Sequence, residues 1–131
     1  MTIIGVFNFK GNNMPHVIVE CSEKGLVKDC DQLLLSINQA LLDTKEFVAA
    51  DIKSRCYVPN YVLSGLDQSY DAFIAISLKI MPGRNDAVQK DMAERILAAI
   101  KAELSNSNGK NVQIMVEVTE LNTKQYHKIV V

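Results

Sequence analysis

The same sequence of strand-like and helix-like hydrophobic patterns occurs twice along the chain, and this repeat limits the possible folds more than any other feature. In each unit, alternating apolar residues precede a segment with apolar residues at helical spacing, and a second alternating segment follows. The segments of the two units are 17–21, 27–43 and 51–58, and then 70–80, 88–104 and 112–118. Each helix is long enough to join two parallel strands by a right-handed crossover. The pattern therefore predicts an α/β (α+β) fold, in which two β-α-β units form one four-stranded mixed sheet with two helices on one face.

Each helical segment carries one apolar stripe that is expected to face the core. The first stripe consists of Cys30, Leu33, Leu34, Ile37 and Leu41, and the second of Val88, Met92, Ile96, Ala99, Ile100 and Leu104. Pro82-Gly83 interrupts the chain before the second helix, which Asn85 or Asp86 can cap. Asn108-Gly109 is expected to end that helix. The tail, 126–131, is compatible with a short edge strand, on this chain or beside another subunit.

The second face of the predicted sheet has no helix to cover it, yet its residues are too apolar to be left in water. On the two longest strands these residues are Phe73, Ala75, Ser77, Met115 and Thr119. An exposed apolar sheet face of this kind favours association with another subunit. The pattern alone would also permit a ferredoxin-like domain or another α/β sandwich.

Composition argues against several classes of protein. The chain has 131 residues, which suits one domain, and its net charge of −1 argues against a general nucleic-acid binder. No apolar run is long enough to span a bilayer. The N-terminus lacks the basic start and the small-residue cleavage site of a signal peptide. These features predict a cytoplasmic protein without a nucleic-acid or membrane partner.

The three cysteines, Cys21, Cys30 and Cys56, are an odd and scattered set without a C-x-x-C pair. A zinc site would require a tighter grouping of cysteine and histidine. We interpret them as small buried apolar residues in a reducing compartment, and we expect no metal site.

Three segments of the chain, taken in order, carry a family resemblance. They are MPHVIVECS at 14–22, IKSR at 52–55, and YDAF at 70–73 followed by LKIMPGR at 78–84. In these segments the chain resembles the 5-carboxymethyl-2-hydroxymuconate isomerases of the tautomerase superfamily. The resemblance runs from Pro15 to the C-terminus, and residues 1–13 fall outside it.

The resemblance implies a cofactor-free isomerase with a tautomerase-like fold. Members of the family are trimers of paired β-α-β units, and their N-terminal proline is the acid/base that moves a proton between carbons of a dienol acid. The family substrate carries several carboxylates and arises in aromatic-acid breakdown, so the implied partner is a small-molecule carboxylate. Two alternatives stay open, a tautomerase of a smaller keto acid and a non-catalytic trimeric module of the same fold.

Pro15 can act as a base only if its nitrogen is a free secondary amine, because a peptide-bonded proline nitrogen has no basic lone pair. Methionine before a small residue is normally trimmed, so a chain that started at Met14 would expose the proline. We therefore expect that Met14 is the biological start, that 1–13 are an extension from a mis-assigned start, and that 14–131 form a single domain. The rival interpretation is an added strand within 3–9.

The resemblance also implies three basic residues as substrate-binding groups. Arg84 lies between a strand end and a helix start, where a guanidinium could bind a carboxylate in bidentate fashion. Arg55 and Lys53 share a strand face, where the family usually shows Ile-Arg-Ser-Arg. A lysine at position 53 keeps the charge but loses the planar fork. His16 is expected on the opposite strand face from its neighbouring proline, and it is not assigned a catalytic role.

Overall fold

Four strands and two helices make up the described part of the chain. The computed structural model describes residues 14–66, 71–105 and 111–131. The strands are β1 (His16–Cys21), β2 (Lys53–Tyr57), β3 (Ala72–Ile80) and β4 (Val112–Glu120), and the helices are α1 (Cys30–Leu42) and α2 (Asp86–Glu103). A 3₁₀ turn at Ala49–Asp51 precedes β2, and another at Thr123–Gln125 follows β4. The order is the predicted repeat of strand, helix and strand.

The strands form one mixed sheet in the order β2-β1-β3-β4. Each β-α-β unit supplies a parallel pair, β1 with β2 and β3 with β4, and the units join where β1 and β3 run antiparallel. The register places His16 of β1 beside Lys53 on one side and Lys79 on the other. The predicted four-stranded mixed sheet is therefore confirmed.

Both helices pack on the same face of the sheet and enclose the core there. The strands contribute Val17, Val19 and alternate residues of β3 to this core. The buried helix residues are Leu33, Ile37 and Leu41 of α1 and Met92, Ile96 and Ile100 of α2. Burial of one such side chain contributes about 1.5–3 kcal/mol. The predicted stripes supply the helical side of the core. Neither described helix combines the length and the apolar content needed to cross a membrane.

Two helix ends differ from the prediction because distant backbone groups pair there. α1 begins at Cys30 rather than Val27, since Asp29 caps the helix and its carboxylate accepts from the Asp31 N–H at 2.9 Å. Val27 instead forms a β-bridge with Leu104, and this bridge ends α2 at Glu103. The predicted stop at 108–109 lies outside the described residues.

The prediction of buried cysteines is confirmed for Cys21, wrong for Cys30 and only partly right for Cys56. Cys30 is exposed at the first position of α1, Cys56 is half-buried, and only Cys21 is fully inside. The three are distant in sequence but close in the fold, because α1 starts above the ends of β1 and β2. Sγ of Cys30 and Sγ of Cys56 are 4.0 Å apart.

The two chain termini leave two predictions open. Residues 126–131 form no strand within this single chain, so their pairing beside another subunit stays a prediction. The extension at 1–13 and its rival, an added strand, lie outside the described residues.

Candidate active site

One end of the sheet gathers the residues that the sequence points to. Pro15 directly precedes β1, Lys53 begins β2, and Arg84 follows β3 in the loop before α2. Because β2 runs parallel to β1 and β3 runs antiparallel to it, the starts of β1 and β2 and the end of β3 meet at one end of the sheet. Arg55 lies one side-chain repeat further along β2. The topology therefore brings the four predicted site residues to the same region of the fold.

Pro15 is buried at the start of β1. Its carbonyl oxygen accepts a hydrogen bond from the Lys53 backbone N–H at 3.0 Å, which ties the starts of β1 and β2 together. In the sequence as given, the proline nitrogen is bonded to Met14 and is an amide. A basic nitrogen at this position therefore requires a chain that begins at Pro15.

Four basic side chains lie together on the face of the sheet that the helices leave open. This basic cluster consists of His16 on β1, Lys53 and Arg55 on β2, and Lys79 on β3. Nζ of Lys53 donates to the Ala50 carbonyl at 2.6 Å. Among the described residues, neither Arg55 nor Lys79 forms an ion pair. The cluster therefore carries uncompensated positive charge, which suits an anionic ligand.

His16 lies inside the basic cluster, and the neighbouring cations help to lower its pKa. Burial lowers the pKa of His16 from its ordinary value of 6.5, and the cations of the cluster, with Arg55 the strongest, lower it further. A protonated imidazole is unfavourable in a partly dry site and beside other positive charges. His16 Nε2 also lies 3.2 Å from the Tyr126 hydroxyl, which holds the ring in place. The start of β1 is thus an environment that favours a neutral base over its protonated form.

Arg84 is held by acceptors from its own chain. Its Nε–H donates to Oε1 of Glu46 at 2.8 Å, and an Nη2–H donates to the Glu46 carbonyl at 3.1 Å. A third contact joins Nη1 to the Met81 carbonyl at 3.4 Å, and the guanidinium lies 4.6 Å from the centre of the Phe47 ring. The side chain is only 9% exposed. A guanidinium has five N–H donors, so these three contacts leave two for a ligand.

The backbone around Arg84 is fixed on both sides. Gly83 has a φ of +123°, a conformation that side chains with a Cβ rarely adopt, so glycine is required immediately before the arginine. Nε2 of Gln89, in the first turns of α2, donates to the Arg84 carbonyl at 3.0 Å and to Glu120 at 3.3 Å. These contacts hold the backbone of the loop that carries Arg84.

Reasoning from the sequence missed three side chains in this region: Lys79, Glu46 and Tyr126. Alternation along β3 is a signal that could have found Lys79, because it places this lysine on the open face. Glu46 and Tyr126 lie in irregular segments, where no periodicity reports the direction of a side chain. Their contacts with Arg84 and His16 arise only from the folded topology.

The open face beyond the basic cluster carries an apolar patch, as predicted, although carboxylates of β1 and β4 lie on the same face. Phe73, Ala75 and Ser77 of β3 are only half-buried in the single chain, and Met115 of β4 is 45% exposed. Ile18 of β1 lies in the same row as Ser77. These residues form a continuous surface next to the cations of the cluster.

Sequence similarity to one protein family covers most of the chain. The family model of 5-carboxymethyl-2-hydroxymuconate isomerase matches residues 15–129. The chain belongs to this isomerase family. The match begins at Pro15, so the 5-carboxymethyl-2-hydroxymuconate isomerase family shares the domain but not the segment before it. No curated protein is significantly similar to the chain in sequence.

Solved structures show the same tautomerase-like fold. A 5-carboxymethyl-2-hydroxymuconate isomerase from Deinococcus radiodurans R1 has a TM-score of 0.80 at 24% identity, with 93% of each chain covered. A 5-carboxymethyl-2-hydroxymuconate delta-isomerase has a TM-score of 0.76 at 19% identity, with 93% of this chain and 91% of that chain covered. A fused 4-OT described as a symmetric trimer has a TM-score of 0.60 at 13% identity, with coverages of 79% and 84%. At these identities the solved structures establish the fold alone. The family match shows in addition that the chain belongs to a family of isomerases.

Proposed function

We propose that this chain is a cytoplasmic, cofactor-free isomerase that moves a proton within an unsaturated dienol or keto carboxylic acid. The reaction would resemble that of a 5-carboxymethyl-2-hydroxymuconate delta-isomerase. One observation carries the proposal: the family match begins at Pro15, the residue whose free amine the chemistry needs. The working enzyme then starts at Pro15, after removal of Met14, and residues 1–13 do not belong to it.

The free amine of Pro15 is the proposed acid/base. An α-amino group titrates near ~8, and burial or nearby cations lower that value by disfavouring the charged form. His16, the next residue, supports this, since burial and the cations of the basic cluster lower its pKa. Pro15 is itself buried, and burial would lower the pKa of an amine there in the same direction. It would be a base near neutral pH, where general-base catalysis is most efficient.

The basic cluster and Arg84 are the proposed binding groups for the substrate's carboxylates. Arg55 is the best placed of them on the open face, because it is a planar donor without an ion pair among the described residues. Lys53 adds charge at the start of β2 and Lys79 adds charge at the end of β3. These cations also stabilise the dienolate that forms when Pro15 removes a proton.

Arg84 is the proposed binding group that its own chain holds most firmly, because Glu46 accepts two of its hydrogen bonds. The ion pair fixes the guanidinium and leaves two N–H donors for one carboxylate of the substrate. Since the arginine is nearly buried, its interaction with a substrate would be strong and sensitive to geometry. Glu46 is then a positioning residue, and Arg84 is the group that contacts the substrate.

The proposed assembly is a homotrimer in which the open face, or its rim, is buried between subunits. The half-exposed apolar surface of β3 and β4 supports this proposal. A structural relative described as a symmetric trimer gives a precedent within the fold.

The proposed reaction can be tested with a panel of dienol and keto acids and a chain that begins at Pro15. We expect isomerisation of a dienol acid with more than one carboxylate, without added metal or cofactor. Faster turnover of a small monocarboxylic keto acid would favour the alternative of a smaller-acid tautomerase. A folded protein that turns over no member of the panel would leave the non-catalytic trimeric module.

A further inference from the structure

The three thiols form a cluster at the end of the sheet away from Pro15. Cys21 ends β1 and Cys56 lies on β2, and both face the helices. Cys30 is the first residue of α1, which packs over this part of the sheet. Its Sγ is 4.0 Å from Sγ of Cys56, although the two residues are 26 positions apart. A disulfide needs sulfurs at about 2.05 Å, so the two atoms must approach by about 2 Å.

Access to solvent differs among the three thiols, and this difference gives each a separate role. Cys30 is exposed, Cys56 is half-buried, and Cys21 is buried with 2% of its surface accessible. A dissolved oxidant therefore reaches Cys30 first. Cys56 is within reach of Cys30 but is shielded from large reagents.

We propose that Cys30 and Cys56 are a reversible dithiol site, whose co-substrate is a low-molecular-weight disulfide of the glutathione type. This inference is independent of the proposed isomerase activity. Cys30 is the entry thiol, Cys56 is the resolving thiol, and Cys21 takes no part.

The reaction balances as two thiol–disulfide exchanges. The Cys30 thiolate attacks one sulfur of the oxidant, forms a mixed disulfide and releases one small thiolate. Cys56 then gives up its proton, attacks the Cys30 sulfur and releases the second small thiolate. Two protein thiols are oxidised to one disulfide, the oxidant is reduced to two thiols, and the two protons end on those thiols.

The second exchange is expected to be the slower one. Burial, and then the neighbouring Cys21 and Cys30, raise the pKa of Cys56 to about 12, so little thiolate is present near neutral pH. The mixed disulfide on Cys30 should therefore accumulate transiently before the ring closes. Raising the pH should speed closure, because it increases the thiolate fraction of Cys56.

The disulfide would connect the start of α1 to the edge strand β2. It would close a long loop within the first β-α-β unit, and such a cross-link stabilises chiefly by restricting the unfolded chain. A rise in melting temperature of roughly 5–15 °C is expected on oxidation, and dithiothreitol should reverse it.

The test uses the full chain, oxidised with glutathione disulfide and then mapped by mass spectrometry after denaturing alkylation. We expect the three thiols per chain to fall to one, with a Cys30–Cys56 cross-linked peptide and free Cys21. Cys21→Ser should react as the parent does, whereas Cys30→Ser should keep its two remaining thiols. The wild-type peptide map decides the question even if a variant fails to fold. Three unreacted thiols, a mixed disulfide that never closes, or a Cys21–Cys56 bond would each overturn the assignment.

Discussion

At the scale of single residues, the sequence identified candidate cations of the site but not their partners in the fold. Arg55, Lys53 and Arg84 lie within short segments that match a family, so the resemblance alone identified them. The partner of Arg84 is Glu46, which comes from a loop after α1 and is 38 positions away. No local pattern connects two such positions, because the contact exists only once α1 and β3 have packed on one core.

The ion pair gives the first prediction, on Arg84. Arg84→Ala should cost about 2–4 kcal/mol of transition-state stabilisation, a loss of roughly 30- to 900-fold in kcat/KM, because a nearly buried charged contact disappears. Arg84→Lys should recover part of this, since lysine keeps the charge without the planar fork. Steady-state kinetics well below the melting temperature measures the effect.

Two matched variants separate binding from folding in that experiment. Glu46→Gln removes the ion pair that positions Arg84, so kcat/KM should fall, but by less than in Arg84→Ala, because the guanidinium remains. Arg95→Ala removes an exposed arginine paired with Asp91 and should change neither quantity much. Unchanged kcat/KM in Arg84→Ala on every accepted substrate would remove Arg84 from the site.

His16 gives the second prediction, on pH. Its pKa is lowered in the folded chain, so below pH 6.5 the unfolded chain takes up a proton that the folded chain resists. The contribution of His16 to stability is complete above that value and is lost as the pH falls toward the lowered pKa. Denaturant midpoints at about pH 7.5 and pH 5.5 should therefore differ less in His16→Gln than in the parent. The exposed His127→Gln is the control, and an equal slope in all three proteins would contradict the assignment.

At the scale of elements, the sequence predicted the identity and order of the strands and helices, and it misplaced two helix ends. The apolar periods are local and were sufficient for the type of each element. The start of α1 and the end of α2 depend on each other through the Val27–Leu104 bridge. This bridge joins segments that are far apart in sequence, so no local pattern reports it. The apolar residues continue at helical spacing past the start of α1 and the end of α2, and the sequence therefore predicted helices that were too long.

The cap of α2 gives the third prediction, since the sequence allowed either of two residues. The Asn85 side chain accepts from the Val88 N–H at 2.9 Å, whereas Asp86 is the first residue of the helix. Asn85→Ala should therefore cost about 1 kcal/mol in the free energy of unfolding. Asp86→Ala, the matched control, should lose only the smaller dipole contribution of about 0.3–1 kcal/mol. Urea denaturation ranks the two, and a larger loss in Asp86→Ala would contradict the cap.

At the scale of the whole molecule, the open face of the sheet is the surface that neither helix of the described chain covers. Periodicity predicted it correctly, because alternation identifies two faces and only one has helices to cover it. The pattern could not show the basic cluster beside it, since that cluster depends on the register between three strands.

The fourth prediction is a trimer at micromolar concentration that depends on this face. Met115→Glu places a charge on the open face and should dissociate the assembly. Leu35→Glu is the control, because Leu35 is 62% exposed on α1, on the helical side of the molecule. Sedimentation velocity on the three proteins distinguishes the cases. A stable monomer for the parent, or dissociation by both variants, would exclude the proposed interface.

A free amine on Pro15 is the proposed catalytic base, and comparing the activity of two forms of the chain tests this proposal. One form retains Met1 and residues 2–14, and the other begins at Pro15, with both starts verified by intact mass. The form that begins at Pro15 should isomerise a dienol acid, whereas the longer form should show no proline-dependent activity. Equal activity of the two forms would contradict it, because the amide nitrogen in the longer form cannot accept a proton.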